Sequence, residues 1–232
     1  MKTIYFESID STNNYGKELL KSESFEHGTL LYTYKQTGGR GRKGRSFLSE
    51  GGLYMSVLFH PTNLSFPITC AAAVAVRDAV KELSPETDLK IKWVNDLFFG
   101  GKKVCGILTE AQTENNSVHG FVCGIGINTR DTHFSEEIEK IATKINISDR
   151  ESLAKNIAER LVNMYDKNQN PIPSYRSHLI LNVPVSVYKN GVFQFDGIAK
   201  DVNENGNLLV YENGALHTLN SGEISIKLQE IK

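Results

Sequence analysis

The chain has 232 residues, 40% apolar and 23% charged, long enough for one main domain with a small appendage and too long for a mini-domain. Its 26 Lys and Arg against 27 Asp and Glu give a net charge of −1, which argues against a surface built to hold duplex nucleic acid. No apolar run reaches the ~18 residues of a membrane span, and the first seven residues lack the apolar stretch of a signal peptide.

In chain order, Asp10-Ser11-Thr12-Asn13 is rich in helix-capping residues and precedes Tyr15, Leu19 and Leu20, so a short helix is expected there. Residues 28–35 read as a strand. Behind it comes Gly38-Gly39-Arg40-Gly41-Arg42-Lys43-Gly44-Arg45, which packs four cations and four glycines into eight residues. Glycine lets backbone N–H groups turn toward a ligand and the cations supply positive charge, a combination suited to a small anion. Leu53, Met55, Val57 and Phe59 alternate with Tyr54, Ser56 and Leu58, which is strand spacing with both faces covered. Residues 67–83 are rich in Ala and Val and long enough for a buried helix, with Pro67 near its first turn.

Leu89, Ile91 and Trp93 alternate with Lys90 and Lys92, again a strand, and Gly100-Gly101 marks a hairpin turn. Residues 121–128 form a further strand. Ser148 and Glu151 have capping-box spacing ahead of Leu153, Ile157, Leu161 and Tyr165, an amphipathic helix. The segment 168–173, with Pro171 and Pro173, interrupts the pattern. Beyond Val183 come four or five short strands punctuated by Asn190-Gly191, Asn205-Gly206 and Asn213-Gly214, which predict a small closed barrel. The expected fold is α+β: a mixed sheet with packed helices over residues 1–180, then a β-barrel over 183–232.

Cys70, Cys105 and Cys123 form no C-x-x-C pair, and the six histidines form no H-x-x-x-H pair. A disulfide framework and a protein-built transition-metal site are not expected, and a reducing cytoplasm is. The basic loop is not a P-loop, because G-x-x-x-x-G-K-[ST] is missing. Taken alone it fits a solvated surface turn as well as it fits an anion site, and a Gly/Arg run can also contact nucleic acid. Other segments narrow the choice. Asp10 to Asn13, Gln36 with the loop 39–45, Lys92-Trp93-Val94-Asn95-Asp96, the run 102–110 and Gly124-Ile125-Gly126-Ile127-Asn128 follow one another in that order.

This set resembles the catalytic domain of biotin protein ligases, of the type without an N-terminal DNA-binding domain. Gly222-Glu223-Ile224-Ser225-Ile226 resembles the end of that family's SH3-like C-terminal module. The resemblance implies joining of biotin to ATP, giving biotinyl-5′-AMP and pyrophosphate, with Mg²⁺ accompanying ATP. Biotin then passes to a lysine of a biotin carboxyl carrier protein; a homodimer is an option, and DNA and membrane are not partners. Carboxylate and α-phosphate are both anionic, so their approach needs fixed positive charge. Arg40, Arg42 and Lys103 are the implied cations, and Asp96 an implied helper for a metal ion or the incoming lysine. Ser11, Thr12, Asn13, Gln36, Gly39, Gly41 and Gly106 join Arg40, Arg42 and Lys103 around biotin. Arg42, Arg45, Trp93, Asn95, Lys103, Asn128 and Lys227 are implied around the nucleotide, Trp93 chiefly as core.

Three positions depart from the family pattern: Val94 replaces proline, Phe47 tryptophan and Lys227 arginine. A lipoate or octanoate ligase or transferase, a nucleic-acid binder and a non-catalytic biotin-adenylate binder are the competing readings. The Gly-Arg-Gly-Arg loop and the Lys-Trp-x-Asn-Asp segment favour biotin. The loop 37–46 is expected to order around an anion, since its like charges repel without one.

Overall fold

The computed structural model describes residues 1–21, 25–39, 41, 50–62, 64, 66–114, 117–221 and 224–228. Seven strands are β1 (Thr3–Phe6), β2 (Leu30–Lys35), β3 (Glu50–Phe59), β4 (Lys90–Lys92), β5 (Asp96–Phe99), β6 (Lys102–Glu114) and β7 (Ser117–Ile127). They form one mixed sheet in the order β1-β2-β3-β7-β6-β5-β4, in which only the β1–β2 pair is parallel. Helix α1 (Thr12–Leu20) packs on β3 and β7, where Leu20, Leu31, Leu58 and Val122 form a small cluster. The opposite face of β3 carries Leu53, Met55, Val57 and Phe59, all buried in the main core. Strand alternation thus sends Ser56 and Leu58 toward α1 and their neighbours toward the core.

Helix α2 (Ile68–Leu83) lies between that core face and α4 (Arg150–Asp166). Ala71, Ala72, Ala73, Ala75 and Ala79 are fully buried, and their small side chains let α2 touch sheet and helix together. Ser11 caps α1, accepting from the Asn14 N–H as expected. The cap of α4 is Asp149, not Ser148: its carboxylate accepts from Ser152 N at 3.0 Å, and that bond holds its pKa below the usual carboxylate value. A carboxylate at a helix N-terminus also meets the helix dipole, so it displaces the serine by one residue. Helix α5 (Ile172–Ser177) follows Pro171, so the expected break is short; α3 (Glu136–Glu139) and β1 were not legible in the periodicity.

Strands β8 (Val183–Lys189), β9 (Val192–Val202), β10 (Leu208–Glu212), β11 (Ala215–Leu219) and β12 (Ile224–Leu228) form the second sheet, ordered β11-β10-β9-β8-β12. Two hairpins turn at Asn190-Gly191 and Asn213-Gly214, where both residues take positive φ, as a type I′ turn requires. The expected SH3-like barrel is not formed. Among the described residues β11 pairs with β10 alone and β12 with β8 alone, so the sheet keeps two edges. Turn spacing counts strands, whereas closure depends on tilt and stagger, which that spacing does not encode. Val185, Val187, Ala199, Val202 and Leu208 nevertheless belong to the same core as the first sheet. Among the described residues no helix is long and apolar enough to cross a membrane.

Candidate active site

Two cross-strand rows make the floor of a cavity of about 610 Å³ on the α1 side of the first sheet. One row runs Leu108–Gly124, continued in register by Ser56 behind the lining, and the other Asp96–Gly106–Gly126–Tyr54 across β5, β6, β7 and β3. The glycines have no side chains to fill the space above them. At Gly124 this is obligatory, since an added Cβ would lie 2.1 Å from Asn13 Oδ1. The other lining residues include Ser11, Thr12, Asn13, Gln36, Gly41, Lys92, Asn95, Lys103 and Ile141.

The end beneath α1 is built from hydrogen-bonded, largely neutral groups. Gln36 Oε1 accepts from Thr12 N at 2.9 Å, and Thr12 Oγ1 lies 3.2 Å from the same oxygen. Ser56, fully buried, places its Oγ 2.8 Å from Thr12 Oγ1 and 2.7 Å from Asn13 Oδ1. Asn13 Nδ2 donates to Glu110 Oε2 at 2.8 Å, and Glu110 Oε1 pairs with Lys17 Nζ at 2.8 Å. These bonds hold polar groups in place at a buried wall, where an unpaired one would be costly. Tyr54 closes the floor; burial pushes its hydroxyl up to about 12, so it stays a neutral phenol.

The other end is ionic. Lys103 Nζ meets Asp96 Oδ1 at 2.5 Å, both side chains partly exposed to the cavity. Asp96 opens β5, and Lys103 follows the Gly100-Gly101 hairpin, so one tight turn brings the pair together. A strap crosses here: Lys103 N donates to Ile141 O and Thr143 N to Lys103 O. Lys92 lines the same end. Cys105, beside this pair in sequence, is fully buried, and burial pushes its thiol up, as it pushes Cys123 to about 12. Both remain neutral thiols rather than nucleophiles.

The structure therefore gathers Ser11, Thr12, Asn13, Gln36, Gly41, Asn95, Asp96, Lys103 and Gly106 around one cavity. Asn95 is tied to the sheet, its Nδ2 donating to Ile107 O at 2.8 Å. Three other candidates stand elsewhere. Asn128 braces the strap, its amide donating to Thr143 O at 3.0 Å. Trp93 is core, and its indole N–H donates to Gly206 O at 3.0 Å, joining the β9–β10 turn to the segment that carries Asp96. Lys227 lies on β12 with its ammonium 4.7 Å from the Tyr188 ring centroid. Gly39 is described but does not line the cavity. Arg40, Arg42, Arg45, Phe47 and Gly222-Glu223 lie outside the described residues, as does most of the loop 37–46.

Sequence reasoning passed over Ser56, Lys17, Lys92, Glu110 and Ile141. Ser56 had a signal: it is the one small polar residue within an otherwise apolar and aromatic run from Leu53 to Phe59. Lys92 and Glu110 lay within the ordered motifs but were given no role there, and Lys17 and Ile141 had no signal, since their roles depend on α1 and the strap meeting the sheet.

Residues 5–128 match the model of the biotin/lipoate A/B protein ligase family, and residues 180–227 match the biotin protein ligase C terminal domain. The chain belongs to the biotin/lipoate A/B protein ligase family. The C-terminal match places it among that family's biotin protein ligases. The bifunctional ligase/repressor BirA of Bacillus subtilis is 30% identical over 243 residues, covering 96% of this chain and 73% of that protein. The biotin–[acetyl-CoA-carboxylase] ligase of Mycobacterium tuberculosis is 26% identical, covering 85% and 78%. A biotin protein ligase from Aquifex aeolicus, solved in complex with biotin and ATP, superposes with a TM-score of 0.81 at 29% identity, covering 98% of this chain and 99% of that one.

Proposed function

We propose that the cavity is where this ATP-dependent biotin protein ligase joins its two substrates, biotin at the neutral end and the phosphates of ATP at the ionic end. The observation that carries the reading is the polarity of the cavity itself. Biotin couples an uncharged ureido ring to a carboxylate, and the walls change from Thr12 and Asn13, backed by Ser56, to the Lys103–Asp96 pair along the same trough. A carboxylate oxygen attacks the α-phosphorus and pyrophosphate leaves. Negative charge grows on the phosphorus centre, where Lys103, with Arg40 and Arg42 of the basic loop, stabilises it. An acceptor lysine then attacks the acyl carbon of the mixed anhydride, and AMP leaves.

That lysine must first lose a proton, and Asp96 lines the cavity at the end where this happens. Among the described residues no three His, Cys, Asp or Glu side chains come together to hold a metal. Mg²⁺ would come with the nucleotide and neutralise phosphate charge, with Asp96 as the carboxylate at that end. We assign residues 1–180 to substrate binding and 183–232 to a C-terminal domain, a division supported by the start of the second sheet at Val183 and by the two separate family matches. The acceptor is a biotin carboxyl carrier domain in the cytoplasm. The test is mass spectrometry of such a domain incubated with the protein, ATP, Mg²⁺ and biotin. One biotinylated lysine is expected, and an unmodified carrier contradicts the reading.

A further inference from the structure

The hydrogen bonds behind the neutral end fix the Asn13 amide one way round. Asn13 Nδ2 faces Glu110 Oε2 at 2.8 Å and Leu108 O at 3.2 Å. A carboxylate and a backbone carbonyl can only accept, so the amide nitrogen belongs on that side. Asn13 Oδ1 then faces Ser56, whose hydroxyl donates to it at 2.7 Å. Ser56 has one proton, and this bond uses it. Thr12 Oγ1, 2.8 Å away, is the other acceptor within reach of that proton. The Thr12 hydroxyl itself donates to Gln36 Oε1 at 3.2 Å, the oxygen that also accepts from the Thr12 N–H. The Asn13 amide has no room to swing aside, because Gly124 passes directly against it; it can only turn over.

We propose that Glu110, held by Lys17, is a positioning residue for biotin. The carboxylate turns the Asn13 oxygen toward Ser56, which commits the Ser56 proton to Asn13 and leaves the Thr12 oxygen, its own proton on Gln36, as an acceptor for a ureido N–H. Without an acceptor at position 110 only the longer bond to Leu108 O opposes reversal of the Asn13 amide. Reversal would make Ser56 donate to Thr12, so the Thr12 oxygen would already be engaged when the N–H of the ring approached. The inference rests on the assignment of biotin to this cavity.

The test is a double-mutant cycle read by calorimetric biotin binding, with the KM for ATP and thermal midpoints measured alongside. Glu110→Ala and Ser56→Ala should each weaken biotin binding at least tenfold. The double variant should be no weaker than the worse single one, because both act through one chain of bonds. The KM for ATP should stay within about twofold in all three. An unchanged biotin affinity in Glu110→Ala, losses that multiply in the double variant, or a parallel rise in the KM for ATP would overturn the proposal. Should Glu110→Ala not fold, Glu110→Gln takes its place; it keeps an acceptor oxygen, so its loss should be smaller than that of Ser56→Ala, and an equal or larger loss overturns the idea. Titration of the unmodified protein separates the two failures. No biotin binding there removes the site assignment, whereas binding there with an unaffected Glu110→Ala removes only the role of Glu110.

Discussion

The two ends of the cavity are held together by different physics. Beneath α1 the polar atoms are bonded to one another, and each bond fixes the next. At the β5–β6 hairpin a cation and a carboxylate face each other at 2.5 Å across partly solvated space. The first arrangement suits recognition of a neutral, rigid ring, because its donors and acceptors are set before the ligand arrives. The second suits chemistry, because an incoming anion can compete with Asp96 for Lys103 and the charge it meets is already in place. Binding and catalysis should therefore separate under mutation.

The largest separation is expected for Lys103→Ala. Pyrophosphate release should fall by about 10²–10³, the usual cost of one preorganised charge-stabilising group, while calorimetry shows a far smaller change in biotin affinity. Equal losses in both would erase the distinction between the ends. Gly124→Ala probes the other end. Its methyl group would collide with Asn13 Oδ1, so biotin binding should weaken at least tenfold with a smaller change in maximal rate once biotin saturates. A lowered maximal rate at saturating biotin would show that Asn13 serves the chemical step.

Trp93→Phe sharpens the comparison from behind. It keeps an aromatic ring and removes the donor to Gly206 O, so urea denaturation should report a loss of about 1 kcal/mol. The rate should fall more than biotin affinity, since Trp93 precedes Asn95 and Asp96 at the ionic end. The smallest effect near neutral pH concerns the layer under both ends. Burial raises the thiols of Cys70 and Cys123 from 9.0 to about 12, and Tyr54 from 10.0 to about 12. Above pH 9 the unfolded chain releases protons that the folded chain keeps, so stability is fully present below that pH and declines as pH rises through the folded values. Denaturation midpoints that stay level from pH 7 to about pH 10 would contradict the burial of these groups.

The sequence made the sheet strands around the site legible because their alternation is strong: Leu53 to Phe59 and Leu89 to Trp93 announce themselves. The residues at the cavity were equally visible where they sit in short ordered motifs, as Thr12, Gln36, Asp96 and Lys103 do. Asn128 went to the strap because one amide serves an adenine edge or a backbone carbonyl equally well on paper. The barrel failed for a related reason: Asn-Gly turns specify hairpins, and the partner of an edge strand is a long-range choice. Glu110 was hidden because its meaning lies 93 positions away, at Lys17.

The most direct test of the account is pyrophosphate release by the purified protein with ATP and Mg²⁺, given either biotin or lipoate as the acid. The cavity described here predicts release with biotin and little with lipoate, whose dithiolane ring cannot satisfy the hydrogen bonds at Thr12 and Gln36. Equal turnover with the two acids would contradict it.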